Sequence, residues 1–266
     1  MLPPTLLPPR FDPGSVWLVG AGPGDPGLLT LHALHALTEA DVVLYDALVS
    51  EEILSLAAQS RMEQVGKRAG GVRTGQLRIN QRLIALARDG LKVVRLKGGD
   101  PLIFGRGGEE ALALAAAGIS FRIVPGISAG IGGTASAGIP PTHRGLGRSV
   151  AFATGHDQDG INWESFSRGA DVLVLYMAAR QFDAIAARLI EAGRDPGDAV
   201  ATIQNATRAD QTVHVTTLGA AAAIVSEAPT LIVVGPVAGL RDRLAPWQQT
   251  APMTVVYDHQ QARALG

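Results

Sequence analysis

Between Val94 and Glu110 the chain reads Val-Arg-Leu-Lys-Gly-Gly-Asp-Pro-Leu-Ile-Phe-Gly-Arg-Gly-Gly-Glu-Glu, an apolar strand end followed by five glycines and charges of both signs. Gly98, Gly99, Gly105, Gly107 and Gly108 let the backbone take positive φ or approach a ligand closely. Asp100, Arg106, Glu109 and Glu110 supply the chemistry: a guanidinium fork suits a carboxylate, and a carboxylate can move a proton. Glu109 and Glu110 also suit the first turn of a helix, where the dipole favours acids, so both readings stand at this point.

A second glycine run, Gly20-Ala-Gly-Pro-Gly-Asp25, follows the apolar stretch 16–19 and leads toward a helix, the position of a dinucleotide-binding turn. It fails that fingerprint. The last glycine of G-x-G-x-x-G would fall at Asp25, Pro23 removes a backbone donor, and a carboxylate there would repel a pyrophosphate. A nicotinamide-dependent oxidoreductase is therefore kept only as a minor alternative. Asp46 closes the next strand, where it suits either a ribose hydroxyl or a turn cap. Thr142-His-Arg144 follows the rigid Gly138-Ile-Pro-Pro141 turn and by itself reads as loop. His32 and His35 share a helix face with no third ligand nearby, and His143 and His156 read as structural, so no metal site is predicted.

Apolar runs place strands at 16–19, 41–45, 91–96, 121–124, 149–154, 171–176, 199–203, 212–217 and 231–234. Helices are predicted over 28–40, where Leu28, Leu31, Leu34 and Leu37 recur, near 51–59, and over 76–89 and 109–117. Strands alternating with helices predict an α/β protein with mostly parallel sheets, and the alternation at Val213 and Val215 marks a half-exposed antiparallel member. The small-residue segment 125–134 predicts a hinge between an N-terminal domain, 15–127, and a C-terminal domain, 128–246. Extended tails are expected at 1–14 and 247–266.

Hydrophobic residues make up 47% of the 266 and charged ones 18%, which excludes disorder, and no apolar run is long enough to span a bilayer. The opening lacks the basic and apolar regions of a signal peptide, so a cytoplasmic protein is expected. Without cysteine there is no disulfide, thiolate nucleophile or Fe–S cluster. A net charge of −1 gives no global attraction to nucleic acid or an anionic membrane. Lys67, Lys92 and Lys97 are the only lysines among 23 basic residues, and the arginines suit planar carboxylates.

The long glycine-and-charge run resembles the signature of the uroporphyrinogen-III C-methyltransferases of the tetrapyrrole methylase family, which place two methyl groups from S-adenosylmethionine on a tetrapyrrole. The likeness continues through Gly20–Asp25 with Leu28-Leu-Thr30, Tyr45-Asp46, Gly66-Lys-Arg68, Ile79-Asn80, Val124-Pro-Gly-Ile127, Gly138-Ile-Pro140, Thr154-Gly-His156 and Tyr176-Met177. It implies two α/β domains with the active site in the cleft between them, usually in a homodimer. It implies Asp46 as proton acceptor, with Glu109 as the alternative acid for moving protons, Lys67 as proton donor, and Arg106, Glu109 and Arg144 as the groups that meet the tetrapyrrole. The S-adenosylmethionine contacts it implies are Pro23, Gly98, Gly99, Asp100, Ile103, Ser128, Ala129, Met177 and the backbone near Ala206.

The implied reaction is metal-free C-methylation of uroporphyrinogen III at C2 and C7 to precorrin-2, for sirohaem or cobalamin, without the dehydrogenase/chelatase module fused to some relatives. Methylation of a later corrin intermediate is the alternative within the fold. A ribosomal RNA 2′-O-methyltransferase would carry a different loop at 98–108 and benefit from a basic face. The chain departs from the pattern at Ser136, Pro141 and Ala206, where relatives often have an aromatic, an aliphatic residue and glycine.

Overall fold

The first apolar run becomes β1 (Val16–Gly20), buried over its whole length because it has a parallel neighbour on each side. The protein is described by a computed structural model that covers residues 8–65, 75–156, 160–222 and 229–245. Lys67 and the expected tail at 247–266 lie outside the described residues. After β1 come α1 (Leu31–Glu39), β2 (Val42–Tyr45), α2 (Glu51–Leu54), β3 (Arg61–Gln64), α3 (Gln76–Arg88), β4 (Val93–Lys97), α4 (Gly107–Ala116) and β5 (Phe121–Val124). Their strands form one sheet in the order β3-β2-β4-β1-β5, with every pairing parallel.

The twofold alternation of strand side chains decides what each face buries. Val94 and Leu96 of β4 join Trp17, Val19 and Val43 under α1. Val93 joins Val16, Leu18, Val42 and Leu44 on the opposite face, against Ile79, Leu83 and Leu86 of α3 and Leu114 of α4. Arg95 and Lys97 share the parity of Val93 and are buried as well. Two cations therefore lie inside the sheet–helix layer.

The helix predicted over 28–40 starts later, at Leu31, where the Thr30 hydroxyl accepts the Ala33 N–H at 3.1 Å. Ala33, Ala36 and Leu37 face the core, while Leu31 and Leu34 remain 45% and 39% exposed. A strict three-residue repeat drifts around a helix of 3.6 residues per turn, and the small alanines let the helix approach the sheet. The described part of the expected N-terminal tail is not loose. Phe11 is buried and stacks on Trp17 with ring centroids 4.5 Å apart.

The second half comprises α5 (Ala129–Ser136), β6 (Val150–Thr154), α6 (Trp163–Gly169), β7 (Val172–Tyr176), α7 (Phe182–Glu191), β8 (Ala199–Gln204), β9 (Thr212–Thr217), β10 (Thr230–Val234) and α8 (Arg241–Leu244). Its sheet has the order β6-β7-β10-β8-β9. Here the expected parallel character holds only for β6 with β7, and the other three pairings are antiparallel, β9 among them as its alternation predicted. The connection 205–211 is too short for a parallel crossover, which needs about a dozen residues or more.

The segment expected to be a hinge is largely helix α5. Glycine costs about 1 kcal/mol per helical position relative to alanine, so local propensity argues against this helix. Packing holds it instead: Gly130, Gly132, Gly133 and Thr134 are buried. No helix among the described residues is long and apolar enough to cross a membrane.

Candidate active site

In parallel α/β sheets ligands bind outside the carboxyl ends of the strands, and the glycine loops of this chain gather there. Gly22 and Gly99 form an isolated bridge, with N–H to O distances of 3.1 and 2.7 Å. A Cβ on Gly20 would stand 2.5 Å from Gly126 N, and one on Gly126 would overlap Gly99 O. The ends of β1, β4 and β5 thus touch backbone to backbone. Asp100 braces the same junction: one carboxylate oxygen accepts the Leu102 N–H at 2.8 Å and the other the Gly126 N–H at 3.1 Å.

Loops from the second sheet close over this edge. The Asp25 N–H donates to Thr207 Oγ1 at 3.0 Å, Arg208 donates to Leu48 O at 2.7 Å, and Tyr176 Oη lies 2.6 Å from Ser128 Oγ. Gly132 and Gly133 of α5 face Pro23 and Ala206, each of which a Cβ would meet at 2.8 Å. The Ala206 methyl therefore faces the helix. Ser136 donates to Gln211 Oε1 at 2.7 Å, which accounts for a polar residue at that position.

Backbone strain concentrates in the same loops. Phe104, Arg106, Met177, Asn205 and Thr207 are the non-glycine residues with positive φ among the described residues. Such conformations cost about 1–3 kcal/mol each and cluster at functional sites.

Beneath the loops lies a buried ionic cluster. Arg95 donates to Asp46 Oδ1 at 2.6 Å, to Glu110 Oε1 at 3.0 Å and to the carbonyls of Leu44 and Leu96. Lys97 Nζ lies 3.3 Å from Glu110 Oε1 and 3.7 Å from Asp46 Oδ2. Gln76 donates to Glu110 Oε1 at 3.1 Å, whereas Glu110 Oε2 is buried without a hydrogen-bond partner among the described residues. Glu110 is fully buried, whereas Asp46, at 27% side-chain exposure, opens the cluster to solvent. Burial works against the Arg95 charge, and the Asp46 and Glu110 carboxylates outweigh it, raising its pKa. Burial also lowers the Lys97 pKa, and Arg95 pushes in the same direction.

Residues 15–222 match the tetrapyrrole (corrin/porphyrin) methylases. The chain belongs to this family. This tetrapyrrole methylase is 53% identical to a uroporphyrinogen-III C-methyltransferase from Sinorhizobium sp, over 89% of this chain and 88% of that one. It is 49% identical to siroheme synthase 1 of Yersinia enterocolitica over 91% of its own length, but spans only 52% of that protein. The structure of the Thermus thermophilus uroporphyrin-III C-methyltransferase complexed with S-adenosyl homocysteine has a TM-score of 0.75 and 38% identity, covering 85% of this chain and 99% of that one.

In this methylase, Pro23, Gly98, Gly99, Asp100, Ser128, Ala129, Met177 and Ala206 lie on the joined loops and on α5, with Ile103 in the 100–106 loop. Arg106 and Glu109 are brought to one another: a two-bond fork of 2.8 and 2.7 Å, both side chains about half exposed. The hydrogen bond from Arg106 lowers the Glu109 pKa, which weakens Glu109 as a base. Arg144 sits exposed on the turn closed by His143 and Gly147, with no hydrogen bond or ion pair to the other candidates among the described residues. His35 packs against the Trp17 ring.

The sequence reading missed Arg95, Lys97 and Glu110 as a unit, and Tyr176 and Arg208 as ties between the halves. The signal for the first was present. Arg95 and Lys97 alternate with Val94 and Leu96 in a run otherwise apolar, which forces two cations onto a buried face.

Proposed function

We propose that this tetrapyrrole methylase transfers methyl groups from S-adenosylmethionine to C2 and C7 of uroporphyrinogen III, giving precorrin-2 for sirohaem or cobalamin synthesis. The observation that carries this reading is the convergence of strained loops from both sheets beside one partly exposed carboxylate, Asp46. We take 15–127 and 128–246 as the two domains that flank the cleft.

The residues fit the methyl donor. At Gly99, φ +67, a side chain would lie 3.7 Å from Ala129 N, so its absence leaves space against the start of α5. Ile103 and Met177 offer exposed apolar surface, as the adenosine requires. Pro23, Gly98, Asp100, Ser128 and Ala206 complete the assigned contacts. When bound, S-adenosylmethionine supplies an already activated methyl group.

The chain then orients the ring carbon, excludes water and receives the proton released as the ring rearranges. Orientation alone can contribute up to roughly 7–11 kcal/mol. Asp46 is the acceptor: Arg95 occupies Oδ1, and Oδ2, with Lys97 Nζ farther off at 3.7 Å, takes the proton. Lys67 serves as donor. Arg144, and Arg106 through the Nη1–Nη2 edge that Glu109 leaves open, hold substrate carboxylates, and Glu109 orients Arg106 through its Nε and Nη2.

We place the enzyme in the cytoplasm as a homodimer, with the exposed Leu31 and Leu34 of α1 as apolar surface for the contact. Light scattering that gives the monomer mass at assay concentration rejects the dimer. A thermal-shift panel tests the function: S-adenosylmethionine and S-adenosylhomocysteine raise Tm, and NAD(H) leaves it unchanged. A shift with NAD(H) alone overturns the assignment.

A further inference from the structure

Tyr176 closes β7 and sends one side chain to several segments of the cleft. Its hydroxyl lies 2.6 Å from Ser128 Oγ and accepts the Gly130 N–H at 2.8 Å. Its ring packs against Phe104, centroids 5.0 Å apart, and edge-on against Phe152 at 6.0 Å. Phe104 is one of the positive-φ residues of the glycine loop, and Met177, the next residue in the chain, is another.

The start of α5 explains what the hydroxyl does. The first turn of a helix has N–H groups without intrahelical acceptors, and the residue at the cap normally satisfies one of them. Ser128 occupies the cap with extended backbone yet makes no side-chain cap bond. Its hydroxyl is turned to Tyr176, and Tyr176 takes the Gly130 N–H in its place. Gly130 is shaped to this contact: a Cβ there would overlap the Tyr176 hydroxyl and lie 2.8 Å from Phe152. The neighbouring Gly132 and Gly133 seat Pro23 and Ala206 just as closely. The helix face toward the cleft is bare backbone, and the phenol is its polar fastening.

We propose that Tyr176 is a positioning residue of the methyl-donor site, capping α5 from the second sheet and fixing Ser128 and Ala129 against the 100–106 loop and Met177. This rests on the reading of the cleft as the S-adenosylmethionine site. Burial raises the phenol pKa above its usual value, although the bonds with Ser128 and Gly130 act the other way. The hydroxyl therefore stays neutral at ordinary pH, able to accept from Gly130 while sharing its proton with Ser128.

Tyr176→Phe keeps the ring and removes only the hydroxyl. Titration calorimetry with S-adenosylhomocysteine is expected to give a Kd about tenfold higher, or about 1.4 kcal/mol. The KM for S-adenosylmethionine rises with it, while kcat changes less than about twofold. Ser128→Ala removes the other end of the bond and, combined with Tyr176→Phe, adds less than it costs alone. Wild-type affinity in either folded single variant overturns the proposal and leaves the donor-site reading standing. A wild-type protein that fails to bind S-adenosylhomocysteine overturns that reading itself.

Discussion

Arg95 Nη2 lies 2.6 Å from Asp46 Oδ1, so the proposed proton acceptor is held from below by a guanidinium that is itself only 2% exposed. Glu110 and Lys97 complete two cations and two carboxylates within one buried layer. Ionic clusters of this kind owe little of their value to net stability, because desolvation offsets attraction. Their effect here is geometric: Asp46 is aimed.

Arg95→Met leaves two buried or half-buried carboxylates with Lys97 as the one remaining cation of the cluster among the described residues. Removing one partner of a buried pair typically costs roughly 3–5 kcal/mol, and denaturant unfolding is expected to show a loss of that order. Glu110→Leu added to Arg95→Met recovers part of it, since the second change removes the stranded charge. Strictly additive losses would contradict a coupled cluster.

Lys97 gives the cluster a pH signature. Its pKa is lowered by burial and by Arg95, so between the folded value and the ordinary lysine value of about 10.4 the unfolded chain binds the extra proton. Stability therefore rises with pH through that window and levels off above it. Lys97→Met, which still faces Arg95, Asp46, Glu110 and Gln76, lacks this proton. Wild type should gain on the variant as pH rises toward the ordinary lysine value of about 10.4, and a pH-independent gap would refute the lowered lysine pKa.

The glycine junction separates close approach from mere composition. Gly126→Ala would drive a methyl into Gly99 O, with Gly20 Cα at 2.8 Å, and is expected to destabilise by more than about 2 kcal/mol and to weaken S-adenosylhomocysteine binding. Gly108, inside α4 with nothing within 4 Å of a built Cβ, should tolerate alanine and gain up to about 1 kcal/mol. Equal behaviour of the two in calorimetric melting would remove the junction from the account.

Much of this was legible in the sequence. Continuous apolar runs located the buried strands, and the glycine loops lay where parallel-sheet ligands bind. Three things were hidden for identifiable reasons. Helix α5 carries Gly130, Gly132 and Gly133, which erase helical periodicity, because its stability comes from tight packing. Strand β3 is a short charged edge, Arg61 and Glu63 included, whose polar side chains mask it. Glu109 and Glu110 are neighbours with opposite fates: the first pairs with Arg106 at the surface, and the second lies on the Gly107–Glu110–Leu114 stripe that faces the core. Helical phase separates them; residue type alone could not.

The Arg106 side chain is exposed and bonded only to Glu109 among the described residues, so its loss should barely affect folding. Arg106→Ala is expected to keep S-adenosylhomocysteine affinity within about twofold and to lose most turnover, with ΔΔG‡ of at least about 2 kcal/mol read from kcat/KM. Parallel loss of both properties would assign the loop to the methyl donor instead of the tetrapyrrole.

The most direct measurement is anaerobic incubation of the purified chain with S-adenosylmethionine and uroporphyrinogen III, followed by mass spectrometry of the pigment. The account predicts a product that has gained two methyl groups and lost two protons, heavier by two CH2 units, with a matching release of S-adenosylhomocysteine. Unchanged uroporphyrinogen III beside a protein that binds S-adenosylhomocysteine would contradict it.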